Sequence, residues 1–428
     1  MQIYFETRPV AELLPGDLGP GLVYHREWLS LRGAFPVSTR MPLRAEPYTP
    51  DVVLPWIVNL LPEEDNLEAV ARLTGVGKAD ALGILAEIGR DTSGALSFAE
   101  RGTANMHYRA VDSEEALERI IEELPSKPFL AGDEGVSMSL AGVQTKIGVH
   151  LDAEGKVAIP LNGSPSTWIL KPDTDRLWGT VANEAFCLRL ARHVGLNVPD
   201  IRIGQAGRRR FLLIARYDRV NEGEKWRRLH QEDFCQALGH FPSMKYEKNG
   251  RNRPGPRIRD LISATRQSVG IAGVIPMLRH VIFNILVCNT DAHAKNYSLL
   301  IQGGGAVQLS PIYDVMCAPV WPRITKYLAM SVATKRDGDY LLGRHWQREA
   351  LLCGLGAPAL LRLVGRMCDE VEAALDRTVA DIAAMHPEGR AMAELCRDEI
   401  RKRTGHIRYG LKTTEPDPAA WVSAHLGK

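Results

Sequence analysis

The sequence predicts an α+β chain in two lobes, β-rich in its first half and helical in its second. Three observations carry this. Extended apolar runs punctuated by Gly and Pro recur up to about residue 230. From Asp233 the chain reads mostly as helix, with one hairpin exception at 297–310 (YSLLIQGGGAVQLS). The 428 residues are 45% hydrophobic and 24% charged, enough to bury a sizeable core and to form more than one domain. A β-rich part followed by an α-rich part, with a cleft between, is a two-lobed α+β plan.

The elements follow in order. Residues 1 to about 48 alternate short apolar runs with Gly and Pro, and GPGLVYHREWLS reads as strand, turn and strand. The pattern then turns helical through TPDVVLPWIVNLLPE, NLEAVARLTGV and KADALGILAEIG; Thr49 or Asp51 is the expected cap of the first helix, and Pro62 stops it. Residues 1–110 are expected to form a small module of their own, 111–230 a β-rich lobe and 231–428 an all-helical lobe. After the charged helix DSEEALERIIEELP comes a loop, AGDEGVSMSLAGVQTK. An extended stretch follows, IGVHLDAEGKVAIPL, with a hairpin turn at residues 153–155. The strand TWILKP precedes the helix VANEAFCLRLARHVG, where Gly195 stands at the usual glycine stop and Pro199 blocks extension. Strands IRIGQ and FLLIARYDR flank a GRRR turn.

Bulk properties narrow the classes of function. Lys and Arg total 53 against 51 Asp and Glu, a formal charge of +2, which excludes wholesale coating of nucleic acid. Two local basic runs stand out, residues 245–259 and 397–412; either could face nucleic acid, but a solvated face is the commoner role of such runs. The seven cysteines are scattered, without C-x-x-C spacing, as expected of a reducing cytosol and of neither a disulfide frame nor a zinc site. The first residues carry charges where a signal peptide needs an apolar run, and the stretch 281–288 is too short to span a bilayer, so a cytoplasmic location is expected.

The richest segment is FNILVCNTDAHAKNYSLLIQGGGAVQLSPIYDVM, residues 283–316. An apolar helix delivers Asp291, Asn296 follows five residues later, and a hairpin returns to Tyr313 and Asp314. This D-x-x-x-x-N loop, hairpin and second Asp is the layout protein kinases use for base, metal ligand and metal ligand. Magnesium wants oxygen donors, a few from protein and the rest from phosphates and water. Asn296 and Asp314 would supply the protein oxygens, and Asp291 would accept the proton of a substrate hydroxyl. Asp and Asn at this spacing also make ordinary turns, but the apolar approach, the hairpin and the second Asp together favour the catalytic layout. His293 is expected to pack in place rather than bind metal, since no second ligand lies at suitable spacing. Lys171, ending TWILKP, is the candidate phosphate cation; Glu184, in the next helix, is its candidate partner or else a residue placed by the helix dipole. The loop 139–146 (SLAGVQTK) could approach an anion through backbone N–H groups, although it lacks the Walker A pattern.

At these residues the sequence resembles the HipA family of bacterial growth-arrest toxins. SLAGVQTK, ILKP, NEAFC, ARYDR, HQEDFCQALG, NTDAHAKN and PIYD stand in family order, preceded by YHREWLSLRGAFPVSTRMPL and NLLPEEDNLEAVARLTGV, which look like the family's N-terminal subdomain. The resemblance implies a protein-kinase-like fold and phosphorylation of protein Ser/Thr using ATP and Mg2+. It implies nucleotide contacts from Ala141, Gly142, Val143, Gln144, Thr145, Lys146 and Lys171, from Ala215, Arg216 and Tyr217, and from His293, Asn296, Tyr313 and Asp314. Ser139 matches the family's inhibitory autophosphorylation serine; a phosphate there adds about −1.5 to −2 charges beside the nucleotide loop. A helix-turn-helix antitoxin of the HipB type, and a protein substrate such as an aminoacyl-tRNA synthetase, are the partners it implies. Thr290 stands where conventional kinases carry Arg before the catalytic Asp, and Val315 and Met316 replace Phe-Gly after Asp314. Conventional activation-loop control is therefore not expected. Two alternatives remain: a nucleotide-binding pseudokinase acting as corepressor with a DNA-binding partner, and a metal-dependent phosphohydrolase.

Overall fold

A computed structural model describes residues 1–98, 106–174, 176–223, 225–250 and 253–425. Residues 99–105 of the expected first module, and Arg251 and Asn252 of the basic run 245–259, lie outside the described residues. The chain groups into two compact units. The first comprises Met1–Thr174, Pro199–Pro242 and Ser298–Gln308; the second comprises Asp175–Val198, Ser243–Tyr297 and Leu309–Lys428.

Two antiparallel sheets organise the first unit. Among the described residues one has four strands, in the order Gly21–Tyr24, Arg8–Leu14, Gln2–Phe5 and Leu96–Ser97. The other has six, in the order Ile201–Ala206, Arg209–Ala215, Trp168–Pro172, Ile147–Leu151, Val157–Leu161 and His107–Ala110. The turn at 153–155 is present: Asp152 accepts from the Glu154 and Lys156 N–H groups, and Gly155 takes the left-handed φ of 80° that favours glycine. Helices Pro50–Val58, Glu64–Thr74 and Ala81–Ile88 follow the expected periodicity; Thr49 stands at the first N-cap, with no side-chain capping bond. One continuous apolar cluster runs from Ile3, Trp56 and Ile84 through Met138 and Val149 to Leu170 and Leu213. Residues 1–110 therefore share a core with the six-stranded sheet and do not close a core of their own.

The second unit is built mainly of helices: Thr180–His193, Ile258–Ser268, Val274–Leu286, Gly343–Leu352, Ala357–Met385 and Arg390–Gly410. The stop at Gly195 is as expected: its φ is 75°, its N–H bonds Arg192 O at 3.0 Å, and Leu196 N–H reaches Ala191 O at 3.0 Å. This unit is not all-helical, which corrects the expectation for the C-terminal lobe. Tyr327–Val332 pairs antiparallel with Lys335–Asp337. Leu328, Ala329, Met330 and Val332 are all buried, and so short an apolar run carries no periodicity to separate strand from helix.

The basic run 397–412 is largely neutralised. Arg397 pairs with Asp376 and Asp398, Arg401 with Glu372 and Asp376, and Arg408 with Asp369. Arg403 is buried, donating to Asp339 at 2.8 Å and to Ile285 O. These arginines tie the last long helix to its neighbours, a structural role that differs from the simple solvated face expected of the run.

Candidate active site

The helix Val274–Leu286 is apolar along its buried face and ends in an abrupt turn. Cys288 has φ 62°, a left-handed conformation that a side chain disfavours, and Asn289 N–H closes the turn onto Asn284 O at 2.9 Å. The Asn289 side chain then does three things. Its Oδ1 accepts from Asp291 N–H at 3.1 Å, and its Nδ2 donates to Asn284 Oδ1 at 2.8 Å and to Asp314 O at 3.3 Å. One buried amide thus binds the helix end, the Asp291 turn and the backbone of Asp314 together. Asp314 itself has φ 56°, a strained position held by this packing.

Asp291 presents its carboxylate at the surface. Tyr246 Oη donates to Asp291 Oδ1 at 2.5 Å. The turn continues with His293 N–H to Asp291 O at 2.7 Å and Asn296 N–H to His293 O at 2.9 Å. The Asn296 amide donates through Nδ2 to Asp291 O at 2.9 Å, so its Oδ1 is the end left for a cation or a donor. Tyr313 Oη donates to Lys295 O at 2.8 Å, fastening the loop to the segment that carries Asp314. Asp291, Asn296, Tyr313 and Asp314 are therefore joined by hydrogen bonds within one unit.

His293 is buried, with its ring edge-on to Tyr246 at 5.0 Å. Burial pushes it down to about pH 3; Lys245 and Lys295 add to this, and Asp314 opposes it. The ring is neutral at physiological pH and packs in the loop, as its sequence context indicated. Among the described residues no three His, Cys, Asp or Glu groups could hold a metal by themselves. One carboxylate and one amide oxygen, with the remainder from phosphates and water, is a donor set magnesium accepts. The residues present fit that ion.

The remaining candidates belong to the first unit, except Glu184. Lys171 is buried on the strand Trp168–Pro172, opposite Leu212. Glu184 is buried on the helix Thr180–His193 of the second unit, so it is not a solvent-facing dipole residue. Ser139 is not on a free loop. Met138–Ser139 pairs in parallel with Asp91–Thr92, and Ser139 Oγ, fully buried, donates to Leu60 O at 2.6 Å. Ala141, Gly142, Gln144, Thr145 and Lys146 are half-buried and Val143 is exposed. Lys146 Nζ bonds Ala141 O across the loop.

Arg216 is committed elsewhere. Its guanidinium is buried, donating to Asp218, Ser166 and Thr92 O, with Asp91 Oδ2 at 3.4 Å. Any nucleotide contact at this position falls to its backbone. Asp91 also meets Arg219 and Arg228, each at 2.9 Å. Burial alone would raise the Asp91 carboxyl, but Arg219, Arg216 and Arg228 outweigh it and hold Asp91 well below the ordinary carboxylate range. Tyr217 Oη bonds Gln231 Oε1, and Ala215 N–H donates to Asp200 O at 2.8 Å.

Comparison with known proteins gives the family. The HipA N-terminal domain model matches residues 1–99, and the HipA-like C-terminal domain model matches residues 138–375. The fold is two-lobed and protein-kinase-like, and the chain belongs to the HipA family. It is 34% identical to Y4mE of Sinorhizobium fredii over 96% of this chain and 99% of that protein. It is 31% identical to the serine/threonine-protein kinase toxin HipA of Shewanella oneidensis, over 85% of this chain and 84% of that one. A Shewanella oneidensis HipA structure, solved with HipB and operator DNA, superposes with a TM-score of 0.83 at 26% identity, covering 96% of this chain and 98% of that chain.

Sequence reasoning missed Tyr246 and the bridging role of Asn289. Nothing in the sequence marks Tyr246, which lies 45 residues before its partner. Asn289 was visible only as part of the NTDAHAKN run.

Proposed function

We propose that this chain is a protein Ser/Thr kinase toxin that transfers the γ-phosphate of ATP, with Mg2+, to a protein hydroxyl. The observation that carries the proposal is the hydrogen-bonded set Asp291, Asn289, Asn296 and Asp314. In this reading Asp291 takes the proton from the attacking hydroxyl as its oxygen bonds the γ-phosphorus, while the bond from that phosphorus to the bridging oxygen breaks and ADP leaves. Tyr246 orients that carboxylate. Asn296 and Asp314 would hold the magnesium ion, which when bound neutralises phosphate charge. Lys171 is the phosphate cation, and the 141–146 loop contacts the nucleotide through its backbone. Glu184 is the candidate partner of Lys171.

Ser139 is the proposed site of inhibitory autophosphorylation. Its burial means that the Leu60 bond and the short parallel pairing must open before its hydroxyl is reached. By kinship with the Shewanella HipA, whose structure was solved with HipB and operator DNA, a HipB-like antitoxin is the proposed partner; an aminoacyl-tRNA synthetase is the class of substrate that the family resemblance alone suggests. The test is phosphopeptide mass spectrometry on cells expressing the chain or its Asp291→Ala variant. The proposal expects a set of Ser/Thr phosphopeptides, including Ser139, that the variant lacks. Identical phosphopeptide sets would refute it.

A further inference from the structure

Residues 60–66 (LLPEEDN) join the helix Pro50–Val58 to the helix Glu64–Thr74 and grip the loop after Ser139 at consecutive points. Leu60 O accepts from Ser139 Oγ at 2.6 Å. Pro62 bridges Gly142 in parallel, and Glu63 N–H donates to Gly142 O at 3.3 Å. Asn66 Nδ2 donates to Val143 O at 2.8 Å. Asn66 is buried in the first turns of its helix, where an Asn side chain ordinarily serves its own backbone; here it is spent on a carbonyl 77 residues away.

Within the loop, Lys146 Nζ also bonds Ala141 O. Val143 is 43% exposed, and Gly142 sits at φ 108°, a conformation only glycine adopts freely. A trans peptide is planar, with its C=O and N–H pointing in opposite directions. Holding Gly142 O therefore aims the Val143 N–H away from residues 60–66. Holding Val143 O does the same for the Gln144 N–H. Successive N–H groups turned to one side are the donors that an anion takes.

We propose that Asn66, through its bond to Val143 O, is a positioning residue that orients the backbone N–H groups of the 141–146 loop toward nucleotide phosphate. The inference rests on the kinase reading for the identity of that anion. It gives the N-terminal segment a direct part in nucleotide affinity.

The experiment compares the wild type with Asn66→Ala, Asn66→Asp (same shape, no donor) and Asn66→Gln (donor kept). Hydrogen–deuterium exchange is read without nucleotide, then Mg-ATP affinity and kcat are measured. The proposal expects exchange over residues 140–147 to quicken about tenfold in the Ala and Asp variants, the scale of one lost hydrogen bond. Exchange elsewhere in the first unit should be unchanged. Mg-ATP affinity should weaken about tenfold while kcat at saturating ATP stays within about twofold, with Gln recovering part of the loss. Unchanged exchange over 140–147, unchanged affinity, or faster exchange throughout the first unit would each overturn it. A wild type that binds no Mg-ATP would sink the kinase reading and the phosphate role with it, and the nucleotide-free exchange would still decide whether Asn66 holds the loop.

Discussion

Replacing Asp91 by Asn tests the energetics of the first unit most sharply. Asp91 and Asp218 face Arg216, Arg219 and Arg228 in a cluster where every side chain is at most 4% exposed. With all groups ionised the cluster carries two negative charges and three positive. Asn keeps the shape and leaves an acceptor for the Ser166 N–H, but removes one charge, so three buried guanidiniums share one carboxylate. Breaking a buried pair in this way costs about 3–5 kcal/mol, because the orphaned charges stay desolvated. Set against a typical stability of about 5–15 kcal/mol, that is about a fifth of the total or more. For a folding unit of 150–250 residues it corresponds to a fall in Tm of roughly 6–20 °C. Urea unfolding and calorimetry measure both quantities. A loss below about 1 kcal/mol would refute the claim that these pairs are desolvated.

Four further outcomes follow from particular groups. Burial holds His230 and His280 down to about 4 and His293 to about 3, so the folded chain resists protonating them. Their stabilisation is complete above the unfolded value near 6.5 and declines as pH falls toward the folded values, by about 1.4 kcal/mol per pH unit each. Glu349 has the opposite sign: burial pushes it up to about 7, so its contribution is complete below about 4.5 and lost as pH rises through 7. Glu349→Gln should raise stability at pH 9 by about 1–3 kcal/mol and leave it nearly unchanged at pH 4, read by urea titration at both pH values. Among the arginines of the last long helix, Arg403→Met should cost several times more than Arg401→Ala, which is predicted to lose under about 1 kcal/mol; equal losses would contradict the assigned burial. Tyr246→Phe should lower phosphoryl transfer by up to about tenfold, whereas Asp291→Ala should lower it by about 10²–10⁴, and a Tyr246→Phe rate equal to wild type would remove Tyr246 from the site.

What the sequence revealed tracks how local the cause is. The hairpin at 153–155 and the stop at Gly195 depend on residues within a few positions, so Gly155 and Gly195 announced them, while the part of Asp152 emerged only in the structure. The order of Asp291, Asn296 and Asp314 was visible because each lies on one contiguous run between an apolar helix and a hairpin. Ser139 was read as a loop residue because a two-residue parallel pairing with Asp91–Thr92, nearly fifty positions away, leaves no periodic trace. Arg216 was read as a nucleotide neighbour because the family motif fixes its place along the chain, while its inward turn depends on Asp91 and Ser166. The strand Tyr327–Val332 was missed for want of alternation, both faces of its apolar run being buried. Asn66 was invisible for a like reason: its partner carbonyl belongs to a segment that only the shared core brings near.

The most direct measurement of the central claim incubates purified chain with γ-labelled ATP and Mg2+ and follows where the label goes. Phosphate should appear covalently on protein Ser/Thr in the wild type and be absent in Asp291→Ala and in Asp314→Ala, with all three proteins folded by circular dichroism. Label retained in both variants, or released only as free phosphate, would contradict it.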